Sequence, residues 1–264
     1  MNRVLIVLIF PILLFATPKV IVSIAPQKYF VSKIKGDDKD ISIMIPKGAS
    51  PATYSPKPTQ LKELNGADIY FTIGVPFEKN WLDRFRSINK NLLFVDTTKG
   101  IKKVDGDPHV WLDPNLVKII AKNIKEAFVK KDPQNSTIYE KNYQNFLDEL
   151  NKLDESIKKI TANIKQKNFI VYHPSFGYFA RAYGLHQIAL EHEGKKPSLK
   201  YEISIIDFAK KNGIKTIFIS PEFSQKEAKF IANRVNAKVK VIDHLSENWK
   251  SNLIKMAKSF EKNN

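Results

Sequence analysis

The sequence predicts an α/β protein of two lobes, each a mainly parallel sheet flanked by helices, with one long rigid helix joining them. Three observations carry this. Short β-rich runs alternate with helical segments from Val20 to Val95, and the same alternation returns from Phe169 to Phe260, as βαβ units require. Between the two stretches, Tyr139, Tyr143, Phe146, Leu150, Leu153, Ile157, Ile160 and Ile164 recur at spacings of four and three, one unbroken apolar stripe on a helix.

In the first half, strands are expected at Val20 to Ile24, Ile41 to Ile45, Ile69 to Ile73 and Leu92 to Val95. The helices between them are expected near Lys28 to Ile34, at Thr59 to Leu64 and through Trp81 and Phe85, with Lys47-Gly48, Asn65-Gly66 and Gly74 as turns. A helix from Ser136 to Ile164 would run about 40 Å, enough to brace two lobes. Its heptad-like spacing also suits a coiled coil, but α/β patterns on both sides favour the brace.

In the second half, strands are expected at Phe169 to Tyr172, Gln187 to Leu190, Thr216 to Ile219 and Lys238 to Ile242. Helices are expected at Gly177 to Tyr183, Lys200 to Lys211, Lys226 to Val235 and Trp249 towards Phe260. The chain thus divides into a leader at 1–16, a first lobe at 17–132, a connecting helix at 133–166 and a second lobe at 167–264.

The leader reads as a signal peptide: Arg3, an apolar run from Val4 to Phe15, and Ala16 before the expected cut, which leaves 248 residues. That run is shorter than the roughly 20 residues a bilayer span needs. With no cysteine to carry a lipid or a disulfide, the expectation is a free, monomeric protein of the periplasm. Missing thiolates also limit any metal site to histidine, carboxylate and water, which removes cysteine-type structural zinc and iron–sulfur clusters. The net charge of +16 invites a nucleic-acid reading, but only five of the 43 cations are arginine and the lysines lie dispersed among acids, as on a solvated surface. No nucleic-acid partner is expected.

Two segments carry the chemistry. Asp107-Pro108-His109-Val110-Trp111-Leu112-Asp113-Pro114 and Tyr172-His173-Pro174-Ser175-Phe176-Gly177-Tyr178-Phe179 each hold one histidine in an aromatic-flanked turn, one in each half of the chain. Two imidazoles presented from separate lobes suit a transition metal bound between them. His173 and Asp243 fall at the carboxyl ends of strands, where open α/β sheets place ligands. His186 reads as a surface or capping residue, and His192 as part of a turn. Glu222, after a strand end, is a candidate supporting group, and Trp111 and Tyr178 read as packing that holds the histidines.

The chain resembles the metal-binding proteins of bacterial ABC importers for zinc and manganese, the ZnuA/TroA-like group. Gly48 through Pro58 (GASPATYSPKP), DPHVWLDP, His173 through Gly184 (HPSFGYFARAYG) and Val241-Ile242-Asp243 carry the resemblance over essentially the whole mature chain. It implies two α/β lobes joined by a long helix, and a metal ion bound as cargo between them at His109, His173 and Asp243. Where the family has a first-motif histidine this chain has Ala52, which cannot coordinate. Water, the side chains of His192, Glu191, Glu193, His244, Tyr54 or Glu222, or a donor on a chelated cargo could complete the shell. His244 could equally support Asp243 or stand exposed.

A histidine at position 173 matches the zinc-type relatives, so Zn2+ is the expected cargo and Mn2+ the alternative. The implied role is a solute-binding protein that hands the ion to an ABC permease in the inner membrane and performs no catalysis. The rivals are a zinc hydrolase built on the same three residues with Glu222 or Glu193 as base, and a metal-free adhesin or scaffold. Because neutral imidazole is the ligating form, binding is expected to weaken as pH falls towards about 6.

Overall fold

The computed structural model describes residues 17–191 and 197–261, so the leader, His192 and Glu193 lie outside the described residues. The first sheet holds β1 (Val20–Val22), β2 (Ile41–Ile43), β3 (Ile69–Thr72) and β4 (Leu93–Asp96) in the order β2-β1-β3-β4, every pair parallel. The second holds β5 (Asn168–Val171), β6 (His186–Ala189), β7 (Thr216–Ile219) and β8 (Lys238–Val241) in the order β6-β5-β7-β8, again all parallel. Parallel neighbours need a crossover on a sheet face, and helices supply it. They are α1 (Ala25–Lys35), α2 (Pro58–Glu63), α3 (Pro76–Ile88), α4 (Pro114–Lys131), α5 (Ser136–Ala162), α6 (Gly177–Ala182), α7 (Leu199–Lys211), α8 (Gln225–Arg234) and α9 (Trp249–Glu261).

Helices α1 to α4 each carry proline in the first turn, where its missing N–H costs nothing and its fixed φ suits the helix. This moves the start of α1 to Ala25, three residues ahead of the expected Lys28. Pro26 opens the helix instead of breaking it, and the Gln27 side-chain oxygen accepts the Ser23 and Ile24 amides at 3.0 and 3.2 Å. Helix α4 has no counterpart among the predicted elements. Its Asp113 carboxylate caps the Asn115 amide at 2.8 Å, and Val117, Ile120, Ala121, Ile124 and Phe128 bury one face. At the end of α1, Gly36 takes φ 100° and closes the helix onto the Ser32 carbonyl. β6 begins at His186, one residue earlier than predicted, and His186 is exposed at its start.

α5 spans 27 residues, about 40 Å, and the predicted stripe is its inward face. Tyr139, Phe146, Leu150, Leu153 and Ile157 are buried against α1, α4 and α9. Helix α9 is the unexpected partner: the last helix of the second lobe packs on the first, with the Trp249 ring 4.9 Å from Phe30 and 5.7 Å from Tyr29. One continuous core therefore runs from Val22 and Phe71 through Trp111 and Leu150 to Phe179, Phe218 and Phe260. In the second sheet successive residues take opposite faces: Phe218 joins this core, while Ile217 and Ile219 join a smaller one under α7 and α8. A core shared across both lobes resists hinge opening, since separating them would expose that apolar surface.

Candidate metal centre

The segments that follow β5 and β8 and the turn before α4 meet at a cluster of three histidines. His109 stands immediately before a 3-10 turn, Val110–Leu112, in a segment tied down on both sides. The Trp111 indole beside it is fully buried and donates to the His244 carbonyl at 2.8 Å. The Trp111 carbonyl accepts the Trp249 indole N–H, also at 2.8 Å. The Tyr178 hydroxyl, on α6, accepts the Val104 amide at 3.0 Å and donates to the Asp107 carbonyl at 3.4 Å. Trp111 and Tyr178, expected as packing residues, thus fasten the His109 segment to the second lobe through hydrogen bonds. Gly177 belongs to the same contact, because a Cβ there would stand 2.8 Å from the Asp107 carboxylate.

The structure brings His109 and His173 together, with ring centroids 5.5 Å apart, and adds His244 at 5.3 Å from His109 and 6.3 Å from His173. Three imidazoles around one tetrahedral ion, bound through nitrogens at about 2.0–2.1 Å, have centroids about 5.2 Å apart. Two of the three separations match that figure, and the third closes with a shift of about an ångström. In the structure as it stands, no three His, Asp or Glu side chains among the described residues are already arranged to share one ion. The His173 ring stacks on Phe223 at 5.0 Å and keeps 26 % of its side chain exposed, against 10 % for His109 and 3 % for His244. His173 is thus the most accessible of the three rings to solvent.

Each ring is held by an oxygen at Nδ1. Asp107 Oδ1 lies 2.6 Å from Nδ1 of His109, and both Glu191 oxygens lie 3.1 Å from Nδ1 of His173. His244 Nδ1 meets Ser220 Oγ at 3.0 Å and Glu222 Oε1 at 3.4 Å. A carboxylate acceptor at Nδ1, as on His109 and His173, favours the tautomer with Nε2 bare, which orients an imidazole and makes it a better donor to a metal. Asp107, Glu191 and Ser220 were not assigned these roles from sequence. The acid two residues ahead of His109 was the readable signal for Asp107; the other two reach their histidines only through the fold.

The remaining candidates are placed as follows. Asp243 accepts the Leu245 amide at 2.9 Å, and its own backbone carbonyl is bonded by Asn252. Ala52 is exposed on a turn whose amide meets Ser50 Oγ at 3.3 Å. The Tyr54 hydroxyl donates to Gln60 Oε1 at 2.6 Å. The exposed alternative for His244 is excluded, since the residue is 3 % accessible.

Burial pushes the His109 imidazole below its ordinary value against the upward pull of Asp107, and pushes His244 well below, with His109 and His173 adding to the effect. Both rings are therefore neutral at pH 7, the form that ligates, and proton competition at these two sets in lower than for a free imidazole. Burial pushes the Glu222 carboxyl up to about 7, with Asp243 adding to it, and raises Asp243 as well. A dication in the cluster would reverse such carboxyl shifts, because its charge favours the ionised form.

Asp107→Asn is expected to lower zinc affinity about 10- to 100-fold, as loss of an acceptor behind a ligating histidine does. Competition with a chromophoric chelator measures it, and an unchanged affinity would take Asp107 out of the site.

Residues 20–262 match the family model described as ZnuA, zinc-uptake complex component A, periplasmic. The high-affinity zinc uptake system protein ZnuA of Bacillus subtilis (strain 168) is 29% identical over 252 residues, 86% of this chain and 78% of that protein. A crystal structure titled as that of ZnuA superposes with TM-score 0.91 at 39% identity, covering 94% of this chain and 99% of that one. The laminin-binding protein Lmb of Streptococcus agalactiae, described as having adhesin and metal-transporting activity, superposes with TM-score 0.83 at 25% identity, covering 94% and 99%.

Proposed function

The chain belongs to the ZnuA family, and from that premise we propose that it captures zinc between its two lobes and delivers it to an ABC permease. Its family makes it an extracytoplasmic metal-binding component of ABC import and a transport protein, not an enzyme, so the hydrolase reading is set aside. Among the described residues no helix is long and apolar enough to cross a membrane. The proposed ligands are His109, His173 and Asp243, with the ion as cargo, and the working form is a monomer of the periplasm.

The observation that carries zinc over manganese is the convergence of imidazoles, each with a protein oxygen at Nδ1. Manganese prefers carboxylate and water oxygen, whereas imidazole nitrogen suits zinc. The same cluster speaks against a metal-free adhesin, since a scaffold has no use for three converging imidazoles, two of them buried. Calorimetric titration of the metal-stripped protein with zinc and with manganese tests the reading. One-to-one zinc binding at least about 100-fold tighter than manganese is expected. Equal affinity for the two, or no zinc binding, would refute it.

A further inference from the structure

Resting on the interlobe zinc reading, we propose that the His244 imidazole is the third nitrogen ligand, supplied from the loop after β8, and that it replaces the histidine this chain lacks at position 52. Position 52 is an exposed alanine, so no side chain there can reach an ion. His244 lies in the cluster itself: its ring is 5.3 Å from His109, the spacing of imidazoles about one ion, and 6.3 Å from His173, which a shift of about an ångström would bring to that spacing.

The ring's attachments point the same way. Ser220 and Glu222 lie at its Nδ1, as Asp107 lies at Nδ1 of His109 and Glu191 at Nδ1 of His173, so in each ring a protein oxygen engages Nδ1 and Nε2 is the atom assigned to the ion. The backbone of His244 is held as well: its carbonyl accepts the buried Trp111 indole, two residues along from His109. One hydrogen bond thus couples the loop carrying one ligand to the turn carrying another. The other described candidates are already engaged. Glu191 sits behind His173, Glu222 behind His244, and the Tyr54 hydroxyl is bonded to Gln60.

A three-imidazole set leaves one position for a carboxylate or water and is richer in nitrogen than two histidines with Asp243. X-ray absorption at the zinc edge on the zinc-loaded, otherwise unaltered protein counts imidazoles without any substitution. Three per zinc are expected. In parallel, His244→Ala is expected to lose about 100-fold or more in zinc affinity by chelator competition, the scale of one ligand in four. An imidazole count of two, or a His244→Ala affinity equal to that of the unaltered protein, overturns this assignment while leaving the interlobe zinc site standing. Absence of zinc binding by the unaltered protein overturns both.

Discussion

Replacing His109 by alanine is expected to abolish tight zinc binding, with affinity falling about 100-fold or more. Structural zinc sites of four ligands are worth roughly 10–16 kcal/mol, so one ligand carries about 3 kcal/mol, and 1.4 kcal/mol is a factor of ten. His109 should sit at or above that mean because it is the common neighbour of the cluster, 5.5 Å from His173 and 5.3 Å from His244. The substitution would also leave Asp107 Oδ1 without its imidazole partner, retaining only the His109 backbone amide at 2.9 Å. Thermal unfolding gives a second readout. Zinc held at 1,000 times its dissociation constant stabilises by about 4 kcal/mol, or roughly 8–16 °C in Tm for a chain of this size. Chelator should remove that increment from the unaltered protein, and His109→Ala should show almost none. A variant that keeps both its affinity and its zinc-dependent Tm shift would exclude His109 as a ligand.

Trp249→Ala should cost more stability than any surface change, about 3–5 kcal/mol, seen as a fall in Tm of roughly 6–20 °C. The indole is 2 % exposed, packs on Phe30 and Tyr29, and donates to the Trp111 carbonyl at 2.8 Å. Truncation opens a cavity where α9 meets α1 and strands a buried carbonyl. The same carbonyl belongs to the residue whose indole holds His244, so the loss should reach the site and lower zinc affinity too. Trp249→Phe separates the two effects: it keeps most of the packing and forfeits the hydrogen bond, worth about 1–3 kcal/mol for the carbonyl left unpaired. Equal Tm values for Trp249→Ala and the unaltered protein would show that α9 does not fasten the lobes.

Much of this architecture can be read along the chain because its signals are local. β3 and β7 are short apolar runs bounded by turn residues, and α5 shows its stripe over 27 residues. Helix α4 is equally legible from Asp113, Pro114 and the spacing of Val117, Ile120, Ala121, Ile124 and Phe128, although its first residues also belong to the DPHVWLDP motif. The early start of α1 was less so, since it depends on Gln27 folding back to bond the chain ahead of it.

By itself the sequence determined two parallel α/β units, the brace between them and the turns that carry His109 and His173, because periodicity, prolines and glycines act over a few residues. The tertiary structure alone decided that α9 returns to the first lobe and that His244 joins the cluster where position 52 offers nothing. Those outcomes depend on contacts such as Trp111 to His244, 133 residues apart, and Trp249 to Trp111, 138 residues apart. No local pattern encodes such partners. They are selected by which packing buries the shared core while keeping these buried indoles and carbonyls hydrogen-bonded.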